Sequence, residues 1–145
     1  MAPSVIVNPR FCVPNSVDLA MVRDKIAKQY GNFVFKDVNG NMLFQVKKPG
    51  SGLHKKMILL DGFGSPVLTM KEKTMTLHNR WQIFKGGSTE ERDMLYTVKR
   101  SSMLQRTTKL DVFLGHSNEE KTCDFKVKGT NWLERSCVAY AVYPK

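Results

Sequence analysis

Four stretches of this chain repeat one pattern, in which two alternating apolar arms flank a turn cluster. The clearest runs from Phe33 to Lys47, where Phe33 and Phe35 share one face of the first arm and Met42, Phe44 and Val46 one face of the second. Between the arms stand Asp37-Val38-Asn39-Gly40-Asn41. Period-two alternation broken by such a cluster predicts a β-hairpin. Gly40 supplies the positive-φ position that the turn needs, and Asp37 can bond the turn's own backbone. The pattern returns 24 residues later, with Asp61, Gly64, Val67 and Lys71 in the places of Asp37, Gly40, Leu43 and Lys47. Looser copies run from Trp81 to Lys99 and from Leu110 to Lys128. Val46-Lys47, Val98-Lys99 and Val127-Lys128 close three of the four units. Repeated hairpins of this kind predict an all-β antiparallel meander, closed or nearly closed. Taken alone, the repeat asks for nothing beyond a half-buried sheet.

The 145 residues are enough for one domain with its own core, and 41% hydrophobic with 25% charged residues is a globular composition. Cys12, Cys123 and Cys137 are odd in number and widely spaced, which argues for a reducing compartment and no disulfide framework. Cys123 alternates with Phe125 and Val127, as a small buried hydrophobe would. No signal peptide, lipidation motif or membrane-length apolar run is read, so the expected location is the cytoplasm, a peripheral membrane surface or the nucleus.

The net charge of +10 favours anionic partners, such as phosphoinositide or phosphatidylserine surfaces or nucleic acid. The charge is unevenly spread. Residues 38–60 hold no acid but contain Lys47, Lys48, Lys55 and Lys56, and residues 94–110 hold no acid but contain Lys99, Arg100, Arg106 and Lys109. Lys47, Lys48, Lys99 and Arg100 are the candidate contacts to anionic lipid. Lys99-Arg100 precedes Ser101 and Ser102, two candidate phosphorylation sites. Tyr96 near Lys99 is the candidate for stacking on a nucleic-acid base, and that reading ranks last. Trp81 and Trp132 alternate with apolar neighbours and read as core.

No catalytic constellation is found. His54, His78 and His116 lack metal-ligand spacing, and no GxSxG, GxxxxGK[ST] or GxGxxG occurs. The chain therefore reads as a non-enzyme without metal or cofactor, and Asp37, Gly40, Asp61 and Gly64 read as hairpin-turn residues. Residues 1–16 carry three prolines and read as an irregular arm with a short extended piece at Val5–Val7. Residues 17–28 fit either a helix, through Leu19, Val22 and Ile26, or a strand, through Leu19 and Met21. Trp132 to Tyr140 offers a last element.

The segments NFVFKDVNGNMLFQVK, MILLDGFGSPVLTMKEK, HNRWQIFKGGSTEERDMLYTVKRSSMLQ, TKLDVFLG and CDFKVKGTNWLERSC resemble the plant LURP-one-related (LOR) family. The resemblance covers roughly residues 5–140. It implies a tubby C-terminal-like β-barrel over residues 17–145 behind an arm at 1–16, and strand in place of helix for most of Val17–Lys28. It also implies a relation to phospholipid scramblases and to tubby-like, membrane-tethered transcription factors, with a part in plant defence. No catalytic residues come with it. The family pattern continues into further strands and a central apolar helix, and no apolar stretch of that length occurs here, so the expected barrel lacks those parts. Three functions remain open on the sequence: reversible binding to an anionic phosphoinositide membrane, a protein–protein or regulatory scaffold without lipid binding, and non-specific nucleic-acid binding.

Overall fold

The structure is a computed structural model and describes residues 5–23, 33–49, 55–73, 80–101, 107–115, 122–129 and 137–142. It is an antiparallel sheet of ten strands in chain order: β1 Ala20–Arg23, β2 Phe33–Lys36, β3 Met42–Lys47, β4 Lys56–Asp61, β5 Pro66–Glu72, β6 Trp81–Lys85, β7 Met94–Arg100, β8 Lys109–Leu114, β9 Phe125–Gly129 and β10 Cys137–Ala141. Every strand pairs with its neighbours in the sequence, so the architecture is the expected meander. Among the described residues no pairing joins β1 to β10. The four repeats are the hairpins β2–β3, β4–β5, β6–β7 and β8–β9. β1 is strand, not helix, across the middle of the ambiguous segment.

The register assigns the faces. Phe35 lies opposite Phe44, Leu59 opposite both Val46 and Leu68, Ile83 opposite Met70 and Tyr96, and Val112 opposite Val98 and Phe125. Directly opposed side chains point to the same side, so these residues form one apolar face. Its centre is the cluster of Val67, Leu68 and Ile83, with Phe44, Leu59, Met70, Trp81, Tyr96 and Val98 packed around it. Ile83 is 3% exposed, whereas Phe35, Phe44, Leu59, Val98 and Phe125 are half-buried. Cys123 is buried, as its alternation suggested.

Strict alternation fails at one repeated place. The register shifts between Phe35 and Lys36, between Leu59 and Leu60, and between Ile83 and Phe84, leaving Leu43, Val67 and Leu95 unopposed on the partner strands. Three of the hairpins thus carry a bulge near the turn, and Leu43 and Val67 are equivalent positions of the sequence repeat. A bulge bends its strand and increases the local twist. It also turns Met94 away from the face of Tyr96 and Val98: its sulfur lies 3.8 Å from Gln82 Nε2, on the sheet's other side. Thr69 on that side is 0% exposed, and its hydroxyl donates to the Gly86 carbonyl at 2.7 Å.

The arm differs from expectation. Val5–Val7 is not a strand. Asn8 Oδ1 accepts from the Arg10 N–H at 3.0 Å and opens a single 3-10 turn at Pro9–Phe11. Proline at the first position costs no hydrogen bond there. The turn lays Phe11 against Phe44, ring centroids 5.4 Å apart, and Val7 and Phe11 both pack on the apolar cluster. The three histidines and residues 132–136 of the last expected element, Trp132 among them, lie outside the described residues.

Candidate functional site

Both repeated turns are organised by their aspartate. Asp37 Oδ1 accepts from the backbone N–H groups of Asn39 and Asn41, each at 2.9 Å. Asp61 Oδ1 accepts from those of Phe63 and Ser65 at the same distances. The Asp37 carbonyl accepts from Gly40 N–H at 3.1 Å and that of Asp61 from Gly64 N–H at 3.0 Å, and the glycines stand at φ 82 and 83. In each turn the fourth residue donates back to the carbonyl of the first and is a glycine in the left-handed region, as in common short hairpin connections. The Asn41 backbone N–H and then its side chain hold the Asp37 carboxyl below its ordinary pKa, and the Ser65 N–H does the same first for Asp61.

The second oxygens differ. Asp37 Oδ2 accepts from its own turn, from Asn41 Nδ2 at 3.2 Å. Ser65 replaces Asn41 in the repeat and brings no amide to Asp61. Asp61 Oδ2 instead accepts from Arg10 Nη2 at 3.0 Å, and the residue is 6% exposed. The second turn therefore fastens the N-terminal arm as well as reversing the chain. Pairing of Arg10 with Asp61 had no signal in the local sequence, because 51 residues separate them.

The opposite end of the sheet is basic. In a meander the ends of β3, β5, β7 and β9 meet the starts of β4, β6, β8 and β10. Hairpin closure at Lys47, Lys71, Lys99 and Lys128 thus falls at one end. Lys47 opposes Ile58, Lys71 opposes Lys56 and Gln82, Lys99 opposes Asp111, and Lys128 opposes Lys109. All four project from the face opposite the apolar one, because each follows a residue of the apolar face. Lys48 lies just beyond β3 on the same end, exposed, whereas Arg100 opposes Leu110 and so takes the other face. Lys47 and Lys99 are four strands apart, roughly 19 Å at the usual strand spacing. They belong to one rim and not to one pocket. Glu72 among these cations is ion-paired with Lys55 at 3.4 Å. Acids gather at the turn end instead, as Asp37, Asp61, Glu90, Glu91, Asp93 and Asp124.

Within the rim, a cleft of about 160 Å³ is lined by Ser101, Lys109, Leu110, Lys126, Val127, Lys128 and Tyr140. Asp111 lies between Lys99 and Lys126 in the register and accepts from the Ser101 hydroxyl at 2.7 Å. Lys99 sits over the Phe113 ring, 5.2 Å from its centroid. Ser102 lies outside the described residues. Tyr96, the expected aromatic partner of Lys99, points to the apolar face, and burial pushes its phenol pKa up. Lys126, Lys128 and Tyr140 join the site although no acid-free stretch marked them. The signal available was the repeated Val-Lys closure, once each hairpin's direction is known.

A second concavity of about 610 Å³ lies at the turn end, between the arm (Arg10, Phe11, Val13, Val17, Leu19) and Met42–Phe44 with Asp61–Phe63. Phe63 at its rim is 96% exposed and Val38 in the equivalent turn 79%. Among the described residues no group of His, Cys, Asp and Glu is arranged to hold a metal ion, and no helix is long and apolar enough to cross a membrane.

The chain is similar to known plant proteins. An X-ray structure of an Arabidopsis thaliana protein superposes with a TM-score of 0.73 at 55% identity, over 94% of this chain and 72% of that one. Arabidopsis LURP-one-related 15 is 61% identical over 140 residues, 97% of this chain and 64% of the relative. LURP-one-related 1 is 57% identical over 137 residues, 94% of this chain and 61% of the relative. LURP1 from the same plant is 57% identical over 139 residues. The chain thus spans less than two thirds of the length of the first two relatives, and the names of these relatives carry no enzymatic activity. The LURP-one-related family model matches residues 17–143, a span that includes all ten strands, and the chain belongs to that family.

Proposed function

We propose that this chain is a non-enzymatic binding module that docks reversibly on an anionic membrane surface through the basic end of its sheet. The observation that carries the reading is the alignment of Lys47, Lys71, Lys99 and Lys128 on one face at one end, with Lys48, Lys56 and Lys109 beside them. A row of cations on a rigid edge suits a planar array of phosphates, and each Lys near such a surface contributes about 1 kcal/mol. Phosphoinositide headgroups, with clustered phosphates, are the favoured ligands. A part in plant defence, and a relation to scramblases, would be exercised through this docking.

Vesicle sedimentation tests the proposal, with neutral, phosphatidylserine and phosphoinositide vesicles at low salt and at about 0.15 M ionic strength. The chain is expected to pellet with the anionic vesicles, more at low salt. Replacing Lys47, Lys71, Lys99 and Lys128 together by Gln should weaken capture on the order of a hundredfold or more. Equal, negligible pelleting with all three vesicles would refute it.

A second reading, a protein-binding scaffold, is favoured by the exposed apolar residues around the groove at the turn end: Val13, Val17, Leu19, Met42 and Phe63. Unaltered partner capture by the lysine variant, with loss on Phe63→Ser, would select it. Nucleic-acid binding loses its stacking candidate, since Tyr96 faces the apolar side.

A further inference from the structure

Ser101 follows β7 directly. Its backbone N–H donates to the Lys109 carbonyl at 3.0 Å, and its hydroxyl donates to Asp111 Oδ1 at 2.7 Å. The residue is exposed and forms one wall of the cleft that also holds Lys109, Lys126, Lys128 and Tyr140. Ser101, Lys109 and Lys128 stand on consecutive strands in one rung, because Ser101 bonds Lys109 and Lys109 opposes Lys128. The outer two are roughly 10 Å apart at the usual strand spacing. A lysine side chain reaches across most of that distance.

We propose that Ser101 is a phosphoacceptor whose phosphate docks in the cleft of Lys109, Lys126 and Lys128. A protein kinase would transfer the γ-phosphoryl group of ATP. The Ser101 Oγ–P bond forms and the β–γ anhydride P–O bond breaks. ADP leaves, and the hydroxyl proton passes to the kinase's base. Lys99-Arg100, immediately before the serine, is the cationic approach that an acidic kinase cleft holds. The modification reverses the local chemistry. The hydroxyl donates to Asp111, whereas a phosphomonoester carries only acceptors and a charge of about −1.5 to −2. Asp111 then repels it, and the lysines on the same face attract it with charge-assisted hydrogen bonds. The tethered phosphate fills the cleft that an external headgroup phosphate would enter. This regulatory consequence rests on the membrane reading above; the docking itself does not.

The two parts are tested separately, on the full chain carrying phosphoserine at 101. Phosphorus NMR follows the second phosphate ionisation, which lies near 6 in an unstructured peptide. Docking on lysines lowers it in the folded protein relative to the same protein in urea, and Lys126→Gln with Lys128→Gln moves it back. An ionisation equal to or above that of the unfolded chain overturns the docking. Incubation of the unmodified chain with ATP and a kinase selective for basic sites, followed by peptide mass spectrometry, should place phosphate on Ser101. Phosphate on Ser102 alone overturns the assignment. The phosphoprotein should bind phosphoinositide vesicles about ten- to thirtyfold more weakly than the unmodified chain, since roughly two charges are neutralised. Equal binding by both forms overturns the switch. If the unmodified chain does not bind vesicles at all, the membrane reading fails while the NMR result still decides the docking.

Discussion

Lys128→Glu should stabilise the fold while weakening the anion site, and the register shows why. Lys128 lies directly opposite Lys109, the first residue of β8, and both are exposed. Like charges directly opposed across a ladder are destabilising. At a separation of about 5 Å in water the Coulomb term is roughly 0.8 kcal/mol. Reversing one charge turns that repulsion into attraction of similar size, a swing of about 1.5 kcal/mol before screening, less a weaker repulsion from Asp111 at the diagonal position. A Debye length of about 8 Å at physiological ionic strength leaves around half, and about 3 Å at 1 M removes nearly all. For a chain of this size 1 kcal/mol shifts the melting temperature by roughly 2–4 °C. Thermal melts should therefore show Lys128→Glu a few degrees above the parent at low salt, about half as much at 0.15 M, and level with it at 1 M. Vesicle sedimentation of the same variant should fall. A variant that melts below the parent at low salt, or a gain that persists in 1 M salt, would refute the reading that Lys109 and Lys128 repel each other across the ladder.

Three further outcomes are expected. Ile83→Ala, at the centre of the core and 3% exposed, should cost about 2–5 kcal/mol in chemical denaturation; a loss under about 1 kcal/mol would mean the cluster is not the core. Thr69→Val leaves the half-buried Gly86 carbonyl without its donor, at about 1–3 kcal/mol, while Thr69→Ser keeps the bond, so a melt in which Ser is the worse replacement argues against it. Asp61 has its pKa lowered in the fold, so its stabilising effect is complete above the ordinary carboxylate value of 3.8 and is lost as pH falls through the lower folded value. Asp61→Asn should accordingly flatten the drop in melting temperature below about pH 4, and an acid limb as steep as the parent's would count against the turn-and-latch role.

Hairpin existence was legible because the apolar period and the turn chemistry agree at each repeat. Asp37, Gly40, Asp61 and Gly64 sit in turns built from their own neighbours, and local bonds follow from local sequence. The exceptions are all non-local. The bulges at Leu43, Val67 and Leu95 are invisible to a count of alternating residues, and the one at Leu95 puts Met94 on the face opposite that of Tyr96. Residues 5–7 were expected to be extended, whereas positions 6 and 7 form a bend that leads into the Asn8-capped 3-10 turn at Pro9–Phe11, and packing of Phe11 on Phe44 holds the arm there. The latch between Arg10 and Asp61 depends on a single replacement between two copies of one turn. With asparagine at the fifth position, as in Asn41, the aspartate is satisfied within its own hairpin. With serine, as in Ser65, one oxygen is left to hold another part of the chain.

The basic end shows how a repeat that says nothing about function in one dimension gathers charge in three. Each hairpin closes with a lysine after a residue of the apolar face: Val46-Lys47, Met70-Lys71, Val98-Lys99 and Val127-Lys128. Alternation fixes the face, since a side chain next to one that packs inward must point outward. Direction fixes the end, since the closing residue of every hairpin in an antiparallel meander runs the same way. Together they force the four lysines onto one face at one end, whatever the turns between them contain. The turn aspartates lie at the complementary end, because Asp37 and Asp61 are needed where the chain reverses within the first two hairpins. The sheet is polarised along its strands by the same residues that make it fold: turn-forming carboxylates at one end, closing lysines at the other. Its orientation on a charged surface would then be set by the repeat, and inserting one residue between Val98 and Lys99 should move that lysine to the apolar face and cost both stability and anion binding. A variant with the insertion that retained full vesicle capture would show that the rim acts as bulk charge and not through its placement.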